Sequence, residues 1–135
     1  MSRTVPIYVA VVDDDESQCR SFGRLLRACG MQPVTYASAE DFLADTKHPL
    51  FDCLVLDIQF EGMSGIELQK QLAETGSQTP VIFVTAHDES EVRDEALAAG
   101  CSRFFCKTET GAEIVGAIRE VIAASVFKQG LARIP

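Results

Sequence analysis

Four short apolar runs in this 135-residue chain stop abruptly at residues that can do chemistry. Ile7 to Val12 ends at Asp13-Asp14-Asp15, and Cys53 to Leu56 ends at Asp57. Val81 to Val84 ends at Thr85, and Phe104 to Cys106 ends at Lys107. Two or three carboxylates, a hydroxyl and an ammonium would therefore surround one crevice if these runs are neighbouring strands of a parallel sheet. Ligands of such sheets bind outside the carboxyl ends of the strands. Crowded carboxylates repel one another and resist ionisation unless a cation sits among them. Lys107 offsets only one charge, whereas a hard divalent ion takes oxygen ligands, and Mg²⁺ keeps several waters beside one or two protein carboxylates. An acidic pair on one strand end and a lone Asp on another suit that ion. The remaining aspartate oxygen is then placed to attack a phosphoryl group and form an aspartyl-phosphate. Lys107 and Thr85 would meet the equatorial oxygens with a charge and a hydrogen bond.

The elements that must position these residues alternate in type. Continuous apolar runs, rather than alternating ones, are what a sheet covered on both faces requires. A weaker strand is expected over Val34 to Tyr36. Between the strands the spacing is helical: Cys19, Phe22, Leu26 and Cys29 share a face, and Gly30 supplies the stop. Ser38 and Asp41 resemble a cap ahead of Phe42 and Leu43. Ile66, Leu68 and Leu72 mark a third helix, and Val92, Ala96 and Ala99 a fourth closed by Gly100. Thr110 and Glu113 form a capping box before Ile114, Ile118, Val121 and Ile122. Five strands and five helices joined by right-handed crossovers give an α/β, doubly wound five-stranded parallel sheet, (βα)5. One domain is expected over 1–125. Residues 126–135, with Phe127, Leu131 and Ile134, either prolong the fifth helix or form the stub of a linker to an absent domain.

Composition narrows the field. Twenty acidic residues against twelve basic ones leave a net charge of -8, which disfavours non-specific contact with nucleic acid or anionic membranes. A hydrophobic fraction of 47% supports a packed core, and no run is long enough for a membrane span. The N-terminus does not read as a signal peptide. Five cysteines without CxxC spacing suggest neither a disulfide framework, zinc nor redox chemistry, and are expected to be reduced thiols in the cytoplasm. His48, beside Pro49, reads as loop surface, and His87 lies two places beyond Thr85 at the mouth of the crevice.

From about Ile7 to Ala124 the sequence resembles a response-regulator receiver domain of the CheY-like superfamily, the phospho-acceptor of two-component signalling. The residues that carry the resemblance are Val11-Val12-Asp13-Asp14-Asp15, Leu54-Val55-Leu56-Asp57, Gly62-Met63-Ser64-Gly65, Val84-Thr85-Ala86, Ala99-Gly100 and Phe104-Phe105-Cys106-Lys107. The resemblance implies a flavodoxin-like strand order 2-1-3-4-5. It implies Asp57 as the phosphorylated residue, Asp14 as a direct metal ligand, Asp13 as one acting through water, and the Gln59 carbonyl as a third ligand. Asp15 matches a position that is often acidic without being a core ligand. Lys107 matches the lysine that pairs with Asp57 and then with the phosphoryl group, Thr85 the switch hydroxyl, and Phe104 the aromatic whose rotation accompanies activation. Gln59 and His87 fall at positions that tune phosphoryl lifetime. The implied cofactor is Mg²⁺, with Mn²⁺ as a substitute. The implied donor is a sensor histidine kinase or phosphotransfer protein. The surface of helix 4, strand 5 and helix 5 is one that family members use to dimerise. Such a domain catalyses its own phosphoryl transfer and autodephosphorylation.

Two places depart from the family pattern. Thr108 follows Lys107 where proline, commonly with a cis peptide, is usual; a cis bond without proline costs about 3 kcal/mol, so the loop either stores that strain or is trans. Phe60-Glu61 stands where Met-Pro is usual. Phe104, lacking a hydroxyl, is expected to favour its buried position more than tyrosine would. These departures keep open a receiver-like module that binds a partner with little or no phosphorylation. A Mg²⁺-dependent aspartyl phosphatase is the remote alternative, because Gln59 stands where a second aspartate would act as acid/base.

Overall fold

The computed structural model describes residues 6–58, 62–86, 90–106 and 111–132, with the backbone alone described at 90 and at 126–132. Strands and helices alternate as β1 (Ile7–Val12), α1 (Glu16–Ala28), β2 (Met31–Tyr36), α2 (Ala39–Ala44), β3 (Cys53–Leu56), α3 (Gly65–Glu74), β4 (Val81–Thr85), α4 (Ser90–Ala98), β5 (Arg103–Cys106) and α5 (Gly111–Ala132). All pairings are parallel and the sheet order is β2-β1-β3-β4-β5, the doubly wound arrangement expected from the pattern.

The sheet separates two apolar layers because successive strand residues point to opposite faces. Val9 and Val11 of β1 join Leu26 of α1 and Ile114, Ile118 and Ile122 of α5 on one side. Ala10 and Val12 join Phe42 of α2, Ile66 and Leu68 of α3 and Ala96 of α4 on the other. Both faces of β1 and β3 are thus covered, and all four residues of β3 are buried.

Two local expectations need correction, the start of β2 and the placement of His48. The second strand begins at Met31, three residues earlier than the apolar signal at Val34. Pro33 lies inside it, which is tolerated because β2 pairs only with β1 and sits at the sheet edge. The first helix starts at Glu16, where Asp15 caps it by accepting from the amides of Ser17 and Gln18 at 3.0 and 3.2 Å. His48 is no simple surface residue: it is half-buried and stacks on Phe42 and Phe51, with ring centroids 5.6 and 4.8 Å away. Ser38 does cap α2, accepting from the Asp41 amide at 3.0 Å. Thr110, the proposed cap of α5, lies outside the described residues, and the backbone of α5 continues to Ala132.

Candidate functional site

The carboxyl ends of β1 and β3 are adjacent, since Val12 and Leu56 are register partners. The next residue on each strand is an aspartate. Backbone hydrogen bonds hold both in place: the Asp13 amide donates to the Tyr36 carbonyl at 3.0 Å, and the Asp57 amide to Val12 at 2.9 Å. One oxygen from each of Asp13, Asp14 and Asp57 lies within 4.8 Å of the others. Asp13 and Asp57 are buried while Asp14 faces solvent. The Asp13 carboxylate accepts from the Asp15 amide at 2.9 Å, which fixes its orientation, and the Cys19 thiol donates to the Asp13 carbonyl at 3.2 Å. An all-oxygen donor set with one exposed member is the chemistry of a hard divalent cation that keeps part of its water shell.

The chain leaving Asp57 is held equally closely. Gly65 opens α3, and its amide donates to the Ile58 carbonyl at 3.1 Å. A Cβ at Gly65 would lie 2.2 Å from the Asp57 carbonyl oxygen, so only glycine lets α3 approach the acidic residue this closely. Ser64 caps α3 by accepting from the Glu67 amide at 3.1 Å. Glu40 of α2 reaches the same loop, accepting from the Met63 amide at 3.2 Å.

Thr85 ends β4 as a fully buried residue, and its register partner is Cys106, the last residue of β5. Phe104 pairs in register with Phe83 and is half-buried, with the Arg93 guanidinium 4.8 Å from its ring centroid. Gln59, His87, Lys107 and Thr108 lie outside the described residues. A cavity of about 200 Å³ adjoins the cluster; Asp13 and Asp57 line it together with Phe22, Leu25 and Ile114, between α1 and α5.

Sequence reasoning found the three aspartates and missed their supports. Asp15 as a helix cap was legible in Asp15-Glu16-Ser17-Gln18, an acidic cap with glutamine three residues on. Ser64 with Glu67 gives the same signal. Nothing local in the sequence marks Cys19 or Glu40. No disulfide joins the cysteines, and burial pushes the Cys53 thiol up to about 12, so it stays protonated and inert.

Residues 9–119 match the family model for the response regulator receiver domain. Response regulator protein TodT of Pseudomonas putida is 34% identical over 114 residues, covering 84% of this chain and 50% of TodT. The chain spans about half the length of the curated relatives it matches. The crystal structure of a response regulator receiver protein from Burkholderia phymatum is 41% identical, with a TM-score of 0.76 over 87% of this chain and 95% of that one. Response regulator StyR is 33% identical, with a TM-score of 0.84 over 95% of this chain and 65% of that one. With its three clustered aspartates at the ends of β1 and β3, this chain belongs to the response-regulator receiver domain family and is a phosphorylation-dependent signalling switch.

Proposed function

We propose that Asp57 is the phosphoryl acceptor, that Asp13 and Asp14 hold Mg²⁺ beside it, and that the donor is a histidine kinase phosphohistidine or a phosphotransfer protein. The observation that carries this reading is the meeting of three carboxylates at the ends of adjacent strands, two of them buried. An Asp57 oxygen attacks phosphorus, the bond to the donor nitrogen breaks, and its electron pair leaves with the imidazole, giving an aspartyl-phosphate. Bound Mg²⁺ supplies positive charge against the phosphoryl oxygens. Asp13 and Asp14 orient and charge-balance the site, with the Gln59 carbonyl as the further ligand. Lys107 pairs with Asp57 and then with the phosphoryl group. Thr85 donates its hydroxyl to the new oxygens, and Phe104 follows the space this vacates. Gln59 and His87 govern access of water and so the lifetime of the adduct.

The altered surface is then that of α4, β5 and α5, which serves a phosphorylation-dependent homodimer. Residues 126–135 act as a linker to a C-terminal output domain, and the work is done in the cytoplasm. The output, rather than the receiver, would meet nucleic acid.

The test is intact-protein mass after incubation with acetyl phosphate, with Mg²⁺ or with EDTA, beside the D57N variant. The expected result is one phosphoryl group that needs both Mg²⁺ and Asp57. An equal adduct on D57N would overturn the assignment of the acceptor.

A further inference from the structure

The loop between β3 and α3 leaves the acceptor strand, carries Gln59 and returns at Gly65. It contains no proline between Ile58 and Gly65 to stiffen it. At its base the Gly65 amide closes on the Ile58 carbonyl. Its far side is held by a residue from another element: Glu40, the second residue of α2. The Glu40 carboxylate accepts from the Met63 amide at 3.2 Å. The same carboxylate sits directly against Gly62, where a Cβ would come within 2.3 Å of Oε2 and 3.3 Å of Oε1. Gly62 has a φ of +82°, in the region glycine adopts without strain. Loop and carboxylate thus fit each other: the loop offers an amide and a bare Cα, and α2 offers one acceptor that fills the space. A shorter aspartate would fall about one C–C bond, roughly 1.5 Å, short of that amide.

We propose that Glu40 is a positioning residue for the metal and phosphoryl site, holding Gly62 and Met63 so that the entry to α3, where Gly65 lies against the Asp57 carbonyl, is pre-set. The inference rests on the reading of Asp13, Asp14 and Asp57 as a Mg²⁺ site. Residues that hold ligand-bearing groups in place commonly cost 10–100-fold in metal affinity when removed, about tenfold being expected where the hold is one hydrogen bond.

The test compares wild type, Glu40→Ala and Glu40→Gln by calorimetric titration with Mg²⁺ alone and by the NMR shift and exchange rate of the Met63 amide. Glu40→Ala is expected to weaken Mg²⁺ binding about tenfold and to expose the Met63 amide, with thermal unfolding still cooperative. Glu40→Gln, which keeps an acceptor and loses the charge, is expected to restore both. Two results would overturn this role: Glu40→Ala binding Mg²⁺ as wild type does, or Glu40→Gln weakening it as much as alanine, which would make the effect one of charge alone. Wild type that binds no Mg²⁺ would instead sink the metal-site reading and this inference with it.

Discussion

Gly65 carries no side chain because the Asp57 carbonyl occupies the place where one would go. In an open helix position, alanine for glycine gains about 1 kcal/mol of helix propensity. Here the new Cβ meets backbone rather than a flexible side chain, and overpacking of that kind costs about 1–3 kcal/mol. The clash should win. Gly65→Ala is expected to lower the urea midpoint and to slow phosphorylation by acetyl phosphate, because relief requires Asp57 or α3 to move. A stabilised variant with unchanged phosphorylation would contradict the close approach. Asp45 offers a second test at this scale. Its carboxylate accepts from the Tyr36 hydroxyl at 2.7 Å and from the Lys47 amide at 3.1 Å, and these bonds hold its pKa below the usual carboxylate range. A carboxylate with a depressed folded pKa contributes stability above its unfolded pKa of about 3.9, and loses it as pH falls through the lower folded value. Denaturant titrations between neutral pH and the acid limit should therefore fall less steeply for Asp45→Asn than for wild type. Equal slopes would mean that the bonds to Tyr36 and Lys47 do not favour the ionised form.

Among the elements, the central strands were legible from the sequence because β1, β3 and β4 are covered on both faces and read as unbroken apolar runs. β2 was only half legible. It lies at the sheet edge, Gln32 and Thr35 face solvent, and Pro33 argues locally against a strand. The acidic cluster was legible for a related reason, since a charge at the end of a buried strand has no packing role. Its supports were not: Glu40 and Met63 are 23 residues apart, and only the packing of α2 beside the β3–α3 loop brings them together. His48 likewise read as surface because its partners, Phe42 and Phe51, are contributed by α2 and by the approach to β3. On the opposite face, α5 depends on Ile118, which is fully buried against the α1 side of the sheet. Ile118→Ala should cost about 2–5 kcal/mol, the transfer term plus the cavity left behind, as measured by chemical denaturation. A loss below 1 kcal/mol would mean that α5 docks far more loosely than its burial indicates.

For the whole molecule, folding and ligand binding are linked, because the acidic cluster exists only when β1 and β3 are paired. A cation that binds the native state alone raises stability by mass action, about 2.7 kcal/mol at a hundredfold excess over Kd. Mg²⁺ should therefore raise the Tm of the wild type and leave that of Asp14→Asn nearly unchanged; equal shifts in both would place the ion elsewhere. Among the described residues no helix is long and apolar enough to cross a membrane, and the net charge of -8 turns the surface away from polyanions. The proposed output of the domain is a change of surface. On the proposed mechanism this change begins with a phosphoryl group on Asp57. Its most direct measurement is borohydride trapping of the protein after incubation with acetyl phosphate and Mg²⁺, followed by peptide mapping. Reduction of an acyl phosphate converts that aspartate to homoserine, and the conversion is expected at Asp57 alone, absent when Mg²⁺ is withheld. Homoserine at Asp13 or Asp14 with Asp57 intact would contradict it.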